Sequence, residues 1–400
     1  MVYTIHNYWT VFDYRNQLKA GDIINYEYTG HKWTEIGFKS GWKEWYITED
    51  AFAHCLPSLT TLSKQQRICK GKLIFEDNFT MPELDLTKWQ HDCYIPSQAM
   101  DNEFVSYQGL PKNIYIEKDI LVVKPTLIED KNYIENGVLD LEEICNCKPT
   151  YYGECNKKAI SYNILPPVMS ASIRSKFSFK YGKIQIHAKL PKGNWLYPIL
   201  QLEPKDYNHG PGYASGAIRI AFARGNNILV SRQSGYDYGN KELSCGLIFK
   251  DIHPIRNITA RRYQRTQSKP WSEYFETYEV EWAPSHMLFS IGNRRYGLIL
   301  PPSRNFQDET ERDVTYGESW EKFMPIFDEQ MVIRIGVGAG GMTDFPDNTL
   351  SSSFSDLLSP KPWRNLEPKA MLGFWQDREN WKKTWTDSKL EIRSVKVWAL

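Results

Sequence analysis

Residues 181–190, YGKIQIHAKL, alternate strictly: Ile184, Ile186 and Ala188 fall on one side of an extended chain, and Lys183, Gln185 and His187 on the other. Side chains of a strand point to opposite faces in turn, so this stretch predicts a strand with one buried face and one wet face. Working outward, short runs of the same kind recur: KLIFEDNF (72–79), NIYIEKDILVVKP (113–125), AIRIAF (217–222), ETYEVEW (276–282), HMLFSIG (286–292), MVIRIGVG (331–338) and LEIRSVKVWAL (390–400). The best helical stretch is short, Pro368–Trp381. Many short strands with scarce helix predict an all-β sandwich. No internal repeat or low-complexity tract interrupts it.

Residues 1–54 carry separate strand-like runs, YWTVFDY (8–14), IINYEY (23–28) and KEWYI (43–47), and predict a partial amino-terminal β-module of about four strands. The stretch 55–70, CLPSLTTLSKQQRICK, is polar and punctuated by Pro57, which predicts a linker. The main domain then runs over 71–400.

With 49 basic and 48 acidic residues the net charge is +1, so no global field draws the chain to nucleic acid or to a membrane surface. No apolar run reaches the roughly 18 residues of a bilayer span. Seven cysteines fit no zinc spacing and predict disulfides, with Cys155 closing a short loop to Cys145 or Cys147 and at least one thiol left over. The sequons Asn78-Phe-Thr80 and Asn257-Ile-Thr259 permit glycosylation. Together these predict a secreted, extracellular glycoprotein, although the residues after Met1 do not read as a signal peptide.

The functional reading turns on residues 213–226, YASGAIRIAFARGN. A retaining glycosidase needs two carboxyl groups about 5–5.5 Å apart. A strand reading Glu-x-Asp-x-x-Glu supplies them, provided that a one-residue bulge returns the last Glu to the face of the first two acids. Here those positions are Ala217, Arg219 and Phe222, and without the bulge the third is Ala221. The strand has the frame and none of the acids.

Several stretches together resemble the laminarinase branch of glycoside hydrolase family 16: LIFEDNFTMPELDLTKW (73–89), NEFVSYQ (102–108), SASIRSKFSFKYGKIQIHAKLPKGNWLYPILQLEP (170–204), FETYEVEWAP (275–284) and the ending VKVWAL. A β-module ahead of an acid-less domain of this kind resembles the arthropod β-1,3-glucan recognition proteins, also called Gram-negative bacteria-binding proteins. The tract 8–28 is similar to the second half of their amino-terminal glucan-binding module. The resemblance implies a concanavalin-like jelly-roll sandwich with a glycan groove, no cofactor, and a non-enzymatic, secreted pattern-recognition protein. Its implied ligand is β-1,3-glucan, with lipopolysaccharide or peptidoglycan as further candidates. Its implied partner is a serine protease leading to Toll signalling or melanisation.

Carried over position by position, the nucleophile is Ala217, the assisting acid Arg219 and the acid/base Phe222. Two groove Trp positions are Tyr197 and Gln201, a Trp-Pro is Gly212-Tyr213, and a groove His is Glu276. The expected glycan-binding residues are Asn102, Arg174, Trp195, Tyr197, Tyr213 and Arg219, with no catalytic residue and no metal. Glu276, Glu279 and Glu281, on a neighbouring strand candidate, are acids that could in principle substitute, but a catalytic pair must flank the scissile bond from defined directions. Spacing puts Glu279 and Glu281 on one face, and Glu276 is expected to pair with a cation such as Arg219. The basic run Arg256, Arg261, Arg262, Arg265 and Lys269 reads as a solvated loop, and His209 as polar surface. A working endo-β-1,3-glucanase and a protein-interaction scaffold with little glycan affinity are the alternatives.

Overall fold

The computed structural model describes residues 2–5, 8–11, 23–26, 29–32, 35–39, 43–46, 56–62, 68–96, 101–149, 153–249, 257–264, 269–300, 327–354 and 357–400. Two antiparallel eight-stranded sheets form a jelly-roll sandwich. The first runs, in spatial order, Ile114–Ile116, Leu121–Val123, Leu390–Trp398, Gly182–Lys189, Glu276–Ala283, His286–Ile291 and Arg294–Ile299, with Leu73–Asp77 also on Leu390–Trp398. The second runs Asn257–Gln264, Glu242–Phe249, Ala217–Phe222, Leu196–Pro204, Met331–Ala339, Ser172–Lys180 and Thr61–Leu62, with Trp89–His91 also on Ser172–Lys180.

The first sheet behaves as the alternation of 181–190 predicts. Ile184, Ile186 and Ala188 are fully buried, while Lys183, Gln185, His187 and Lys189 are only partly covered. Its outward face is laced by ordinary polar pairs, such as Lys183 with Glu279 at 3.1 Å and Lys396 with Glu76 at 2.8 Å. Its inward face meets Leu200, Leu202, Ile218, Ile220, Ile333 and Ile335 of the second sheet in one continuous core. Burying each such aliphatic side chain contributes about 1.5–3 kcal/mol.

The second sheet departs from alternation. Every residue of Leu196–Pro204, Ala217–Phe222, Glu242–Phe249 and Met331–Ala339 is buried. Such a strand is covered on both faces. One cover is the sandwich core; the other is a polar and aromatic layer described below.

A smaller core of Ile134, Leu139, Leu141, Ile164, Leu165 and Trp375 lies beside the sandwich. Two short helices border it. Lys131–Asn136 is capped by Asp130, which accepts from Tyr133 N–H at 3.0 Å, and Leu141–Cys145 by Asp140, which accepts from Glu142 N–H at 2.9 Å. Disulfides Cys93–Cys145 and Cys147–Cys155 tie this region together, so the short loop closes through Cys147. Cys69 is also disulfide-bonded, and the odd thiol is Cys245, buried and hydrogen-bonded with Tyr296. The helical stretch near the carboxyl terminus forms as two short pieces, Ala370–Gln376 and Arg378–Trp381.

The described part of the 55–70 stretch is docked on the sandwich. Thr61–Leu62 adds an edge to the second sheet against Phe179 and Lys180, Leu59 N–H donates to Leu400 O at 2.8 Å, and Thr60 and Ile68 are buried. Ahead of it, six strands pair two by two: Val2–Ile5 with Tyr8–Val11, Ile23–Tyr26 with Lys43–Tyr46, and Thr29–Lys32 with Glu35–Lys39. Among the described residues no helix is long and apolar enough to cross a membrane.

Candidate functional site: a filled groove

The bulge expected on the Ala217–Phe222 strand is present. Arg219 faces Gly246 and Phe222 faces Ser244, three residues on one strand against two on its neighbour. Ala217, Arg219 and Phe222 therefore share the face turned away from the sandwich core, and Ala221 packs inward. The side chains at the three acid positions are a methyl group, a guanidinium and a benzyl ring, all buried.

Arg219 opens a row that crosses four strands. It stands opposite Gln201, Gln201 opposite Arg334, and Arg334 opposite Arg174. Like charges this close require anions, and the neighbouring loops supply them. Arg219 makes a two-pronged pair with Asp344, at 2.9 and 3.2 Å. Arg334, fully buried, reaches Glu203 at 2.8 Å, Asp92 at 3.3 Å and Ser172 Oγ at 3.0 Å, and donates to Tyr94. Arg174 reaches Asp92 at 3.1 Å and Glu203 at 3.5 Å. Burial alone would raise the Glu203 carboxyl, but Arg334 and Arg174 hold it down at about 2.

Aromatic rings fill the rest. Phe222 lies under two guanidinium groups, Arg219 at 4.1 Å and Arg224 at 5.2 Å, and beside Tyr197 at 5.5 Å. Tyr197 and Trp195 also pack on Phe345, at 5.9 and 5.3 Å, and Trp195 on Trp363 at 4.9 Å. Tyr197 can lie flat across the next strand because residue 338 is glycine; a Cβ there would sit 2.4 Å from the ring.

The six residues expected to meet glycan are thus distributed as follows. Tyr197, Tyr213, Trp195 and Arg219 lie in or beside this layer and are buried, with 2%, 3%, 2% and 6% of their surface exposed. Tyr213 covers Ala217 and Ile248 and donates to Asp101 at 3.1 Å. None of these three rings offers an open face for a sugar to stack on: Phe222, Phe345 and Trp363 pack on Tyr197 and Trp195, and Tyr213 is buried with Ala217 and Ile248. Asn102, in left-handed conformation beside Met342, and Arg174, with its guanidinium near the Tyr207 ring, remain partly exposed.

One expected contact is corrected. The carboxylate that pairs with Arg219 is Asp344, because the loop after Met331–Ala339 folds over the second sheet; Glu276 lies on the first sheet opposite Ala188 and acts on His187. Glu279 and Glu281 do share a face, where they meet Lys183, Gln185 and His286. His209 pairs with Glu329 at 3.0 Å. Of the basic run, Lys269 is exposed beside Glu273 and Tyr274, and the side chains of Arg256, Arg261, Arg262 and Arg265 lie outside the described residues. Asn78 and Thr80 are exposed, and the Asn257 side chain is outside the described set.

Residues that the sequence reading missed hold the layer together: Asp92, Asp101, Glu103, Glu203, Arg224, Arg334, Asp344, Phe345 and Trp363. Only Arg334 carried a visible signal, a lone cation inside the apolar run MVIRIGVG.

No protein-family model matches the chain. Among solved structures it is similar to a laminarinase from Rhodothermus marinus, 15% identical, covering 86% of this chain and 99% of that one with a TM-score of 0.48. Among curated proteins it is 32% identical to a β-1,3-glucan-binding protein of Tenebrio molitor, over 98% of this chain and 84% of that protein. It is 34% identical to β-1,3-glucan-binding protein 1 of Galleria mellonella, over 86% and 67%, and 33% identical to Gram-negative bacteria-binding protein 1 of Drosophila melanogaster, over 86% and 68%. With relatives at 32–34% identity that cover 86–98% of its length, the chain belongs to the family of β-1,3-glucan-binding and Gram-negative bacteria-binding proteins.

Proposed function

We propose that this protein is a secreted, non-hydrolytic recognition protein of innate immunity that binds microbial surface polysaccharide, β-1,3-glucan first and lipopolysaccharide or peptidoglycan as alternatives. Bound to a microbe, it passes the signal to a serine protease that starts Toll signalling or melanisation. The names of its relatives support the ligand class. The observation that carries the absence of hydrolysis is the side-chain set Ala217, Arg219 and Phe222, aligned by the bulge on one face and buried there. None of the three can attack an anomeric carbon or protonate a leaving oxygen. In this reading Asn102 and Arg174, the two candidate residues that stay partly exposed, make the glycan contacts. Trp195, Tyr197, Tyr213 and Arg219 shape the floor behind them.

The burial of those rings favours a second reading, a protein-interaction scaffold with little glycan affinity in its large domain. One experiment separates the readings: full-length protein is mixed with insoluble curdlan and, in parallel, with soluble laminarin. Retention on curdlan without new reducing ends is the expected result. Absence from the pellet supports the scaffold. Reducing ends that vanish when Glu276 is changed to Gln would establish a working glucanase and overturn the proposal.

A further inference from the structure

Among the described residues, the side-chain polar atoms buried around the groove floor without a hydrogen bond include Glu103 Oε2, the Tyr197 hydroxyl and the Trp195 indole nitrogen. Native interiors leave few such groups. Glu103 is the one that can change its charge. It is 3% exposed; its other oxygen accepts a long contact, 3.4 Å, from the Tyr107 hydroxyl, and its own backbone N–H also acts on the carboxyl.

Asp101, two residues earlier, cannot turn away from it. Its carboxylate accepts from Tyr213 at 3.1 Å and from the Thr343 hydroxyl, and its carbonyl accepts from Met342 N–H at 2.9 Å. The segment 101–107 is seated on residues 339–343 by that bond, by Phe104 N–H donating to Ala339 O at 2.9 Å, and by the Phe104 ring lying against Gly340. Residue 340 in turn donates to Trp195 O at 2.8 Å, so this seat adjoins the filled floor.

The charged and titratable groups around Glu103 are Asp101 and Tyr107 on its own segment, Tyr94, Tyr197, Tyr213 behind Asp101, Arg334, and Asp344 with its partner Arg219. Arg334, the cation that acts on Glu103, already serves Glu203 and Asp92. A negative charge on Glu103 would therefore be opposed by burial, by Asp101 and by Asp344, with its nearest cation already shared between two other carboxylates.

We propose that Glu103 is a proton-operated latch beneath the groove: neutral, it keeps 101–107 seated and the floor closed; ionised, it loosens that seat and opens the floor. Burial, and after it the Asp101 charge, raise the carboxyl to about 7, which puts the change in the neutral range. The sign follows from linkage: a carboxyl raised in the closed state favours that state fully below its ordinary value, and the advantage is lost as pH rises to about 7.

The test is hydrogen exchange on the full chain at pH 5 to 8.5, with labelling times scaled for the intrinsic amide rate and peptides read over 101–107, 195–201 and 338–345. If the open state titrates normally, their opening equilibrium should rise on the order of 50- to 100-fold between pH 5 and pH 8, while residues 182–189 on the other sheet stay protected. Glu103→Gln should be protected at every pH. Asp101→Asn should move the midpoint to lower pH, which keeps the proposal testable if the first variant misfolds. Flat protection in the wild type, an undiminished rise in Glu103→Gln, or an equal rise over 182–189 would each overturn it.

Discussion

Arg219 occupies a position where a carboxylate would serve catalysis, and its replacement measures how far the groove has become interior. Arg219→Met keeps most of the side-chain volume and removes the two donors, at 2.9 and 3.2 Å, that face the Asp344 carboxylate. Asp344 is 2% exposed, so solvent cannot replace them. Breaking a buried pair in this way costs about 3–5 kcal/mol. The lost cation–π contact on Phe222, 4.1 Å away, adds about 0.5–2 kcal/mol. The double variant Arg219→Met, Asp344→Asn removes the stranded charge and should recover most of the loss. Urea unfolding followed by tryptophan fluorescence at pH 7 reads both, provided that the slope is unchanged between variants. A loss below about 1 kcal/mol in the single variant would place the pair in the class of surface ion pairs and refute the description of a filled groove. A double variant no better than the single one would show that packing, not charge, holds the floor.

Acid stability should report Glu203. Its carboxyl is held at about 2 against an ordinary 4.5, so its contribution of about 3 kcal/mol is present above the ordinary value and lost as pH falls toward 2. Unfolding free energy measured from pH 6 to pH 2.5 should fall less steeply in Glu203→Gln than in the wild type. The two disulfides beside the smaller core should differ in weight. Cys93–Cys145 spans 52 residues and Cys147–Cys155 spans 8, so loop closure predicts losses of about 4 and about 2.5 kcal/mol when each pair is changed to Ser. Calorimetry that ranked them in the reverse order would point to folded-state contacts instead.

Most of the sandwich could be read from the chain because its first sheet is wet on one side, and a half-wet strand writes its geometry as alternation. Ile184 to Ala188 and Leu390 to Trp398 are of this kind. The bulge between Arg219 and Phe222 was half legible: the Glu-x-Asp-x-x-Glu frame calls for it, but AIRIAF itself carries no mark that decides between Phe222 and Ala221. The filling was not legible. Asp344 is 125 residues from Arg219 and Arg334 is 131 from Glu203, and neither pairing leaves any local mark. The rings failed for a related reason: Trp195 and Tyr197 look the same in sequence whether they face water or Phe345. Cys155 left two partners open because Cys145 and Cys147 are equally near along the chain, and it is the reach of Cys93 to Cys145 that leaves Cys147 for it.

The double-sided cover of the Ala217–Phe222 strand also bears on any attempt to build a hydrolytic reaction onto it. Writing Glu, Asp and Glu into 217, 219 and 222 would place three acids in space that solvent does not reach, two of them among Tyr213, Tyr197 and Phe345. Such groups take up protons or unfold their surroundings before they can attack anything. Such a design must therefore also move the loop that carries Asp344 and Phe345 and the Tyr213 ring over Ala217, so that water and substrate can reach the strand. Access to this strand is set by its neighbours, and three substitutions on the strand alone cannot grant it.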